Sequence, residues 1–197
     1  MPPMGTATRA SDSGHTDARR QRTRQALLGA FFVLVLERRY HEVRIDDIVA
    51  RAGVGRSTFY EHFANKDALL AASIEGPFAI LADAVVAPSA PQLPGLLAHF
   101  WQNRALARGI LSGAVRRKVA AVLVDQIERR LRRQVGAHLR VPPRLAAVAL
   151  AEAQLGPISA WLNGEAACAP EALAQALHQG TRALVDAYTC GTAGAGR

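Results

Sequence analysis

The 197-residue chain carries 24 Lys and Arg against 16 Asp and Glu, a formal charge of +8, and half its residues are hydrophobic. That is enough chain for one large domain or two small ones. Its basic balance favours a polyanionic partner, nucleic acid above all, over the plainer alternative of an arginine-rich proteome. Cys168 and Cys190 lie far apart, match no metal spacing and imply no disulfide framework, so a reducing cytoplasm is the expected home. The first 20 residues lack the apolar core of a signal peptide, and the apolar run Ala26–Leu36 is about half of what a membrane span needs, so no membrane partner is expected.

Residues 1–15 are rich in Pro, Gly, Ser, Thr and Ala and are expected to form a disordered arm. Thr16 or Asp17 then caps a helix to about Arg38, with Leu27, Phe31, Leu34 and Val35 as its apolar stripe. Arg19, Arg20, Arg22 and Arg24 crowd its first turns, where cations oppose the helix dipole. An external phosphate would relieve that cost; a solvated basic end is the alternative.

Ile45, Ile48, Val49 and Ala52 give the next helix one apolar face, and Asp46 and Asp47 sit in its first turn. Gly53 stands where that helix must stop. A further short helix runs from Gly55–Arg56 to about His62, with Phe59 and Phe63 inward and Arg56, Ser57, Tyr60 and Glu61 outward. Two short helices across a glycine turn predict a helix-turn-helix. Asn65 caps the following helix, which opens at Lys66-Asp67 and runs through Leu70, Ile74 and Phe78 toward Val86, with a kink or break expected at Gly76-Pro77.

Ala87–Pro94 reads as a loop with three prolines. Leu96, Leu97, Phe100, Trp101 and Leu106 predict one helix ending near Gly109, with 112–115 as a connection. Arg116–Leu139 is the longest helical pattern; Arg129, Arg130, Arg132 and Arg133 occupy its outer face, read as solvated or as a second anion site. After Val141-Pro142-Pro143 comes an almost wholly apolar helix, 144–163, which must be buried on more than one side. A last helix, Pro170–Tyr188, precedes a flexible tail, 190–197.

Val54-Gly55-Arg56-Ser57-Thr58-Phe59-Tyr60-Glu61-His62-Phe63, followed by Asn65-Lys66-Asp67-Ala68-Leu69-Leu70, resembles the signature of the tetracycline-repressor family, closely over about 19–70. The resemblance implies an all-α fold of about nine helices. A three-helix DNA-binding head (16–65) would precede a ligand-binding and dimerisation body (66–189), the fourth helix linking the two. It implies a homodimeric repressor that binds a palindromic duplex operator and is released by a small-molecule effector, with no other cofactor. An activator or a ligand-independent regulator fits the same residues. Two departures stand out. Arg39 precedes Tyr40 where the family often has glycine, and Arg44 holds the place of a capping Thr or Ser. Arginine cannot accept a backbone N–H, so this cap is lost or supplied by another group, and Arg44 becomes a candidate phosphate contact.

Position by position, Thr58, Tyr60, His62 and Lys66 match the family's phosphate contacts. Arg56 and Ser57 match positions facing base edges. Arg56 could bridge the two acceptors of a guanine or bind phosphate instead. Tyr60 and His62 also have plain readings, as an amphipathic core residue and a helix-terminal imidazole. In the body, Phe78, Leu97, Phe100, Trp101, Arg104, Val122, Gln126, Leu155 and Ile158 are candidate effector contacts. Gln126 and Gln154 would need polar partners if buried. Leu150, Leu155, Trp161, Leu173, Leu177, Leu184 and Tyr188 are candidates for a two-subunit four-helix bundle; closing the monomer core is the alternative. No enzyme is expected. Gly53-Val54-Gly55 follows no strand, the six histidines lack ligand spacing, and the Asp46-Asp47 side chains diverge on their helix.

Overall fold

The computed structural model describes residues 10–111 and 113–189, without the side chains of 10–16, 113 and 114. Contacts divide the chain into two compact units, Met1–Leu69 and Leu70–Arg197. Among the described residues every long element is a helix: α1 Ala10–Glu37, α2 Ile45–Ala52, α3 Arg56–His62, α4 Lys66–Val86, α5 Leu93–Gln102, α6 Arg104–Leu111, α7 Gly113–Gln134, α8 Pro143–Asn163 and α9 Pro170–Tyr188. A 3-10 turn, Gly136–His138, follows α7.

In the first unit α1 packs on α2. Leu27, Phe31 and Leu34 of α1 meet a core completed by Val43, Ile48, Phe59 and Phe63. α1 begins at Ala10, well before the expected cap, so residues 10–15 are helix rather than unfolded arm; residues 1–9 lie outside the described residues. Extending a helix that already exists costs no new nucleus. Arg19 therefore sits more than two turns inside α1, beyond the reach of the terminal dipole, and the expected electrostatic cost at Arg19–Arg24 does not arise.

Arg44 makes no side-chain cap bond; Asp47 supplies the reciprocal one, its carboxylate accepting the Arg44 N–H at 3.0 Å and pairing with Arg38 at 3.3 Å. α2 stops at Gly53, whose φ of +66° lets Gly53 and Val54 donate to the carbonyls of Ala50 and Val49. Gly53→Val is therefore expected to lower head stability by about 1–2 kcal/mol, the cost of a left-handed L-residue. Thermal denaturation checks this.

In the second unit α7 and α8 pack together, α9 packs on α5 and α8, and α6 packs on α7 and α8. α4 does not stop at Pro77. Burial of Phe78, Leu81, Ala82 and Val85 outweighs the roughly 3 kcal/mol a helical proline costs. Side chains from three other helices also bind its backbone. Gln126 of α7 donates to Glu75, Gln154 of α8 to Leu81, and Arg182 of α9 to Val86. His178 of α9 places Nδ1 2.9 Å from the Ala84 carbonyl. These last two partners serve carbonyls that a helix C-terminus leaves without intrahelical bonds.

The single helix expected over 96–109 is two. Asn103 interrupts it, with both its N–H and its side-chain amide donating to the His99 carbonyl. Pro94 belongs to the first turn of α5, a position that needs no N–H. Residues 113–115 belong to α7 rather than to a connection, and residue 112 lies outside the described residues. α8 carries Pro157 inside it, a breaker the sequence reading passed over.

The outer arginine run is not uniformly solvated. Arg130, 13% exposed at its side chain, bonds Asp83 at 2.5 Å and the carbonyls of Ala79 and Gln126. Arg132 pairs with Glu128 on its own helix, and Glu128 also holds Arg144. Both α4 and α8, unlike the shorter run Ala26–Leu36, are long and apolar enough to cross a membrane by length and composition. Their apolar side chains instead fill the interior.

Candidate nucleic-acid interface

α3 is only seven residues long, and its two faces divide cleanly. Phe59 is fully buried, its ring 5.4 Å from Tyr60 and 6.0 Å from Phe63, while the Arg24 guanidinium lies 4.8 Å over Phe63. Anchored this way, the helix turns Arg56, Ser57, Tyr60 and Glu61 to solvent, with Thr58 and His62 half-buried beside them. Tyr60 is 48% exposed, so the plain core reading of that residue fails. Arg44 is exposed just before α2.

Arg56 is not loose on this surface. Its Nη1 lies 2.7 Å from Asp46 Oδ1 across the turn. The Tyr60 oxygen first, then the Asp46 charge, hold its guanidinium above the ordinary arginine value. Asp46 was missed as a member of the site. Opposite charges ten residues apart mean nothing in sequence until the turn folds them together.

Lys66 has a second occupation. Its ammonium donates to the carbonyls of Tyr40 at 2.8 Å and Val43 at 2.6 Å, and lies 4.4 Å from the centre of the Tyr40 ring. The Tyr40 hydroxyl in turn bonds Asp67, and burial first, then that bond, push its pKa well above the usual tyrosine range. Lys66 and Asp67 thus tie the turn after α1 to the start of α4, where Asn65 Oδ1 accepts the Ala68 N–H at 2.8 Å. Any phosphate contact by Lys66 would have to share this ammonium.

In the body, the structure joins only part of the expected effector set. Trp101 lies against Trp161 with ring centres 4.7 Å apart and the planes tilted by 37°, and the Arg104 guanidinium is 5.4 Å from the Trp101 ring. Phe78, Leu97, Leu155 and Ile158 are buried, Phe100 and Val122 are half-buried, and Gln126 is held by Glu75. Gln154 keeps an unpartnered Oε1 in the interior. Of the expected subunit contacts, Leu150, Leu155, Trp161, Leu173 and Leu177 are buried within this chain's own core, and Leu184 and Tyr188 are half-buried. The five buried side chains offer no surface to a partner. The leucine stripes of α8 and α9 face inward because each amphipathic helix puts its larger apolar residues into its own core. Outward stand Leu145 and Val148 of α8 and the small Ala172, Ala176, Gly180 and Ala183 of α9.

Among the described residues, a helix-turn-helix with a polar, exposed second helix sits among helices only, the arrangement by which DNA-binding regulators enter a major groove. Residues 32–73 match the model for bacterial regulatory proteins of the tetR family. A relative from Bacillus subtilis, the uncharacterized HTH-type transcriptional regulator YxbF, is 38% identical over 76 residues, which are 38% of this chain and 20% of the relative. The matched stretch is thus about one fifth of that relative's length. Among solved structures, a TetR regulator from Streptococcus agalactiae aligns over 86% of this chain and 98% of its own, with 23% identity and a TM-score of 0.53. A TetR-family regulator from Syntrophomonas wolfei aligns over 83% and 95%, with 19% identity and a TM-score of 0.57. The head thus carries the tetR-family sequence pattern over residues 32–73, and the chain shares the fold of TetR-family regulators over most of its length.

Proposed function

We propose that the chain is a homodimeric repressor that grips a palindromic operator in the cytoplasm and lets go when a small molecule binds its body. The observation that carries the DNA contact is the division of α3, with Phe59 locked inward and Arg56, Ser57 and Tyr60 facing water. Phosphate contacts from Arg44, Thr58, Tyr60, His62 and, as far as its internal bonds allow, Lys66 set position and supply affinity. Arg56 and Ser57 read base edges. Tyr60→Phe removes one hydroxyl and no charge. It is expected to weaken operator binding about ten-fold, the scale of one hydrogen bond to a charged group, without changing base preference. Fluorescence anisotropy with a fragment selected from genomic DNA measures this, and unchanged affinity would remove Tyr60 from the interface.

The proposed dimer uses the outward faces of α8 and α9 rather than their buried leucines. Small residues along α9 would let a second copy approach closely, with Leu145 and Val148 adding apolar area. Ala183→Arg is expected to turn the sedimenting dimer into a folded monomer; a dimer that survives it would place the interface elsewhere. Paired heads must fit half-sites roughly 34–36 Å apart. An effector releases DNA by favouring a dimer whose heads miss that spacing. Trp101, which is exposed, and Arg104 are the body's best-supported contacts for it, since a ring beside the tryptophan and an anion beside the arginine would both be satisfied.

A further inference from the structure

The two adjacent carboxylates at the start of α2 do different jobs. Asp47 serves the helix: it accepts the Arg44 N–H and pairs with Arg38. Asp46 makes no such bond. It is 67% exposed at its side chain and reaches across the turn to Arg56, itself 59% exposed, on the face offered to DNA. An ion pair this open contributes little to stability, so its value must be sought in what it does to the arginine.

A free guanidinium on that face would be drawn to the nearest phosphate, which carries no sequence information. Pairing with Asp46 cancels its net charge and occupies one of its five N–H donors, leaving donors enough for the O6 and N7 acceptors of one guanine. We propose that Asp46 is a positioning residue for base readout: it keeps Arg56 off the phosphates and presents it to a guanine edge. This rests on the DNA-binding reading of the head and deepens it, since it assigns the specificity of the site rather than its affinity.

The test compares affinity for the selected operator with affinity for mixed-sequence duplex, over a range of salt, for the wild type, Asp46→Asn, Arg56→Ala and the double variant. Asp46→Asn is expected to tighten mixed-sequence binding and to steepen the log–log salt dependence by about one unit, one added phosphate contact. It should also cut the ratio of specific to non-specific affinity about ten-fold, the scale of one bidentate base contact. In the Arg56→Ala background the same change should leave that ratio unmoved. An unaltered ratio in Asp46→Asn, or an equal fall with Arg56 already gone, would overturn the proposal. Because Asp47, not Asp46, bonds the Arg44 N–H at the start of α2, Asp46→Asn should melt with the wild type; a lower melting temperature with an unaltered ratio would make Asp46 structural and overturn it too. Failure of the wild type to bind any duplex is a separate result, and it would remove the DNA reading itself.

Discussion

Phe59→Ala is expected to abolish operator binding without touching a single outward residue. The ring is fully buried against Phe63 and Tyr60, and deleting such a side chain costs about 3–5 kcal/mol. A unit of this size seldom holds more than that in reserve. The head should therefore open while the body stays folded. Hydrogen exchange should show residues 18–69 losing protection and α7–α9 keeping it, with DNA affinity down at least a hundred-fold. Retained head protection would mean that α3 is held by something other than its aromatic anchor.

Arg130→Ala is expected to be the most damaging change on the outer arginine run. Arg130 joins α7 to α4 through Asp83 and the Ala79 carbonyl and braces Gln126 beside them. Hydrogen bonds to a charged group are worth about 1.5–3 kcal/mol, so at about 3–5 °C per kcal/mol for a unit of this size the melting temperature of the body should fall by roughly 5–15 °C. Lysine should not rescue it, because a single ammonium cannot reproduce the fork that spans these acceptors. Arg133→Ala is the control. That side chain is exposed and bonds only a carbonyl of its own helix, so its loss should leave the melt within about 1 °C. Equal effects at both positions would show the run to be a uniform surface.

These contrasts mark where sequence reading holds and where it stops. α2, its glycine stop, α3 and the Asn65 cap were legible because each depends on neighbours within a few residues. Their bounds came out as the caps and apolar spacing required. α9 was legible for the same reason. Whatever depended on distant partners was not. Pro77 reads as a breaker, yet α4 runs through it under contacts from α7, α8 and α9. Arg130 looks like its exposed neighbours until Asp83, 47 residues away, is brought to it. The apolar stripes of α8 and α9 were visible, but periodicity does not say whether a stripe faces its own core or a second subunit. Here the leucines went inward and the small residues were left outside. Asp46 was legible as a helix-start acid; its reach to Arg56 exists only once the turn has formed.

The central claim is that the exposed face of α3 grips duplex DNA. Footprinting of the wild type and of an Arg56→Ala/Tyr60→Ala variant on the same genomically selected fragment tests it most directly. The account predicts two protected half-sites about one helical turn apart, both lost in a variant that keeps its fold. Protection that persists unchanged in the variant would contradict it.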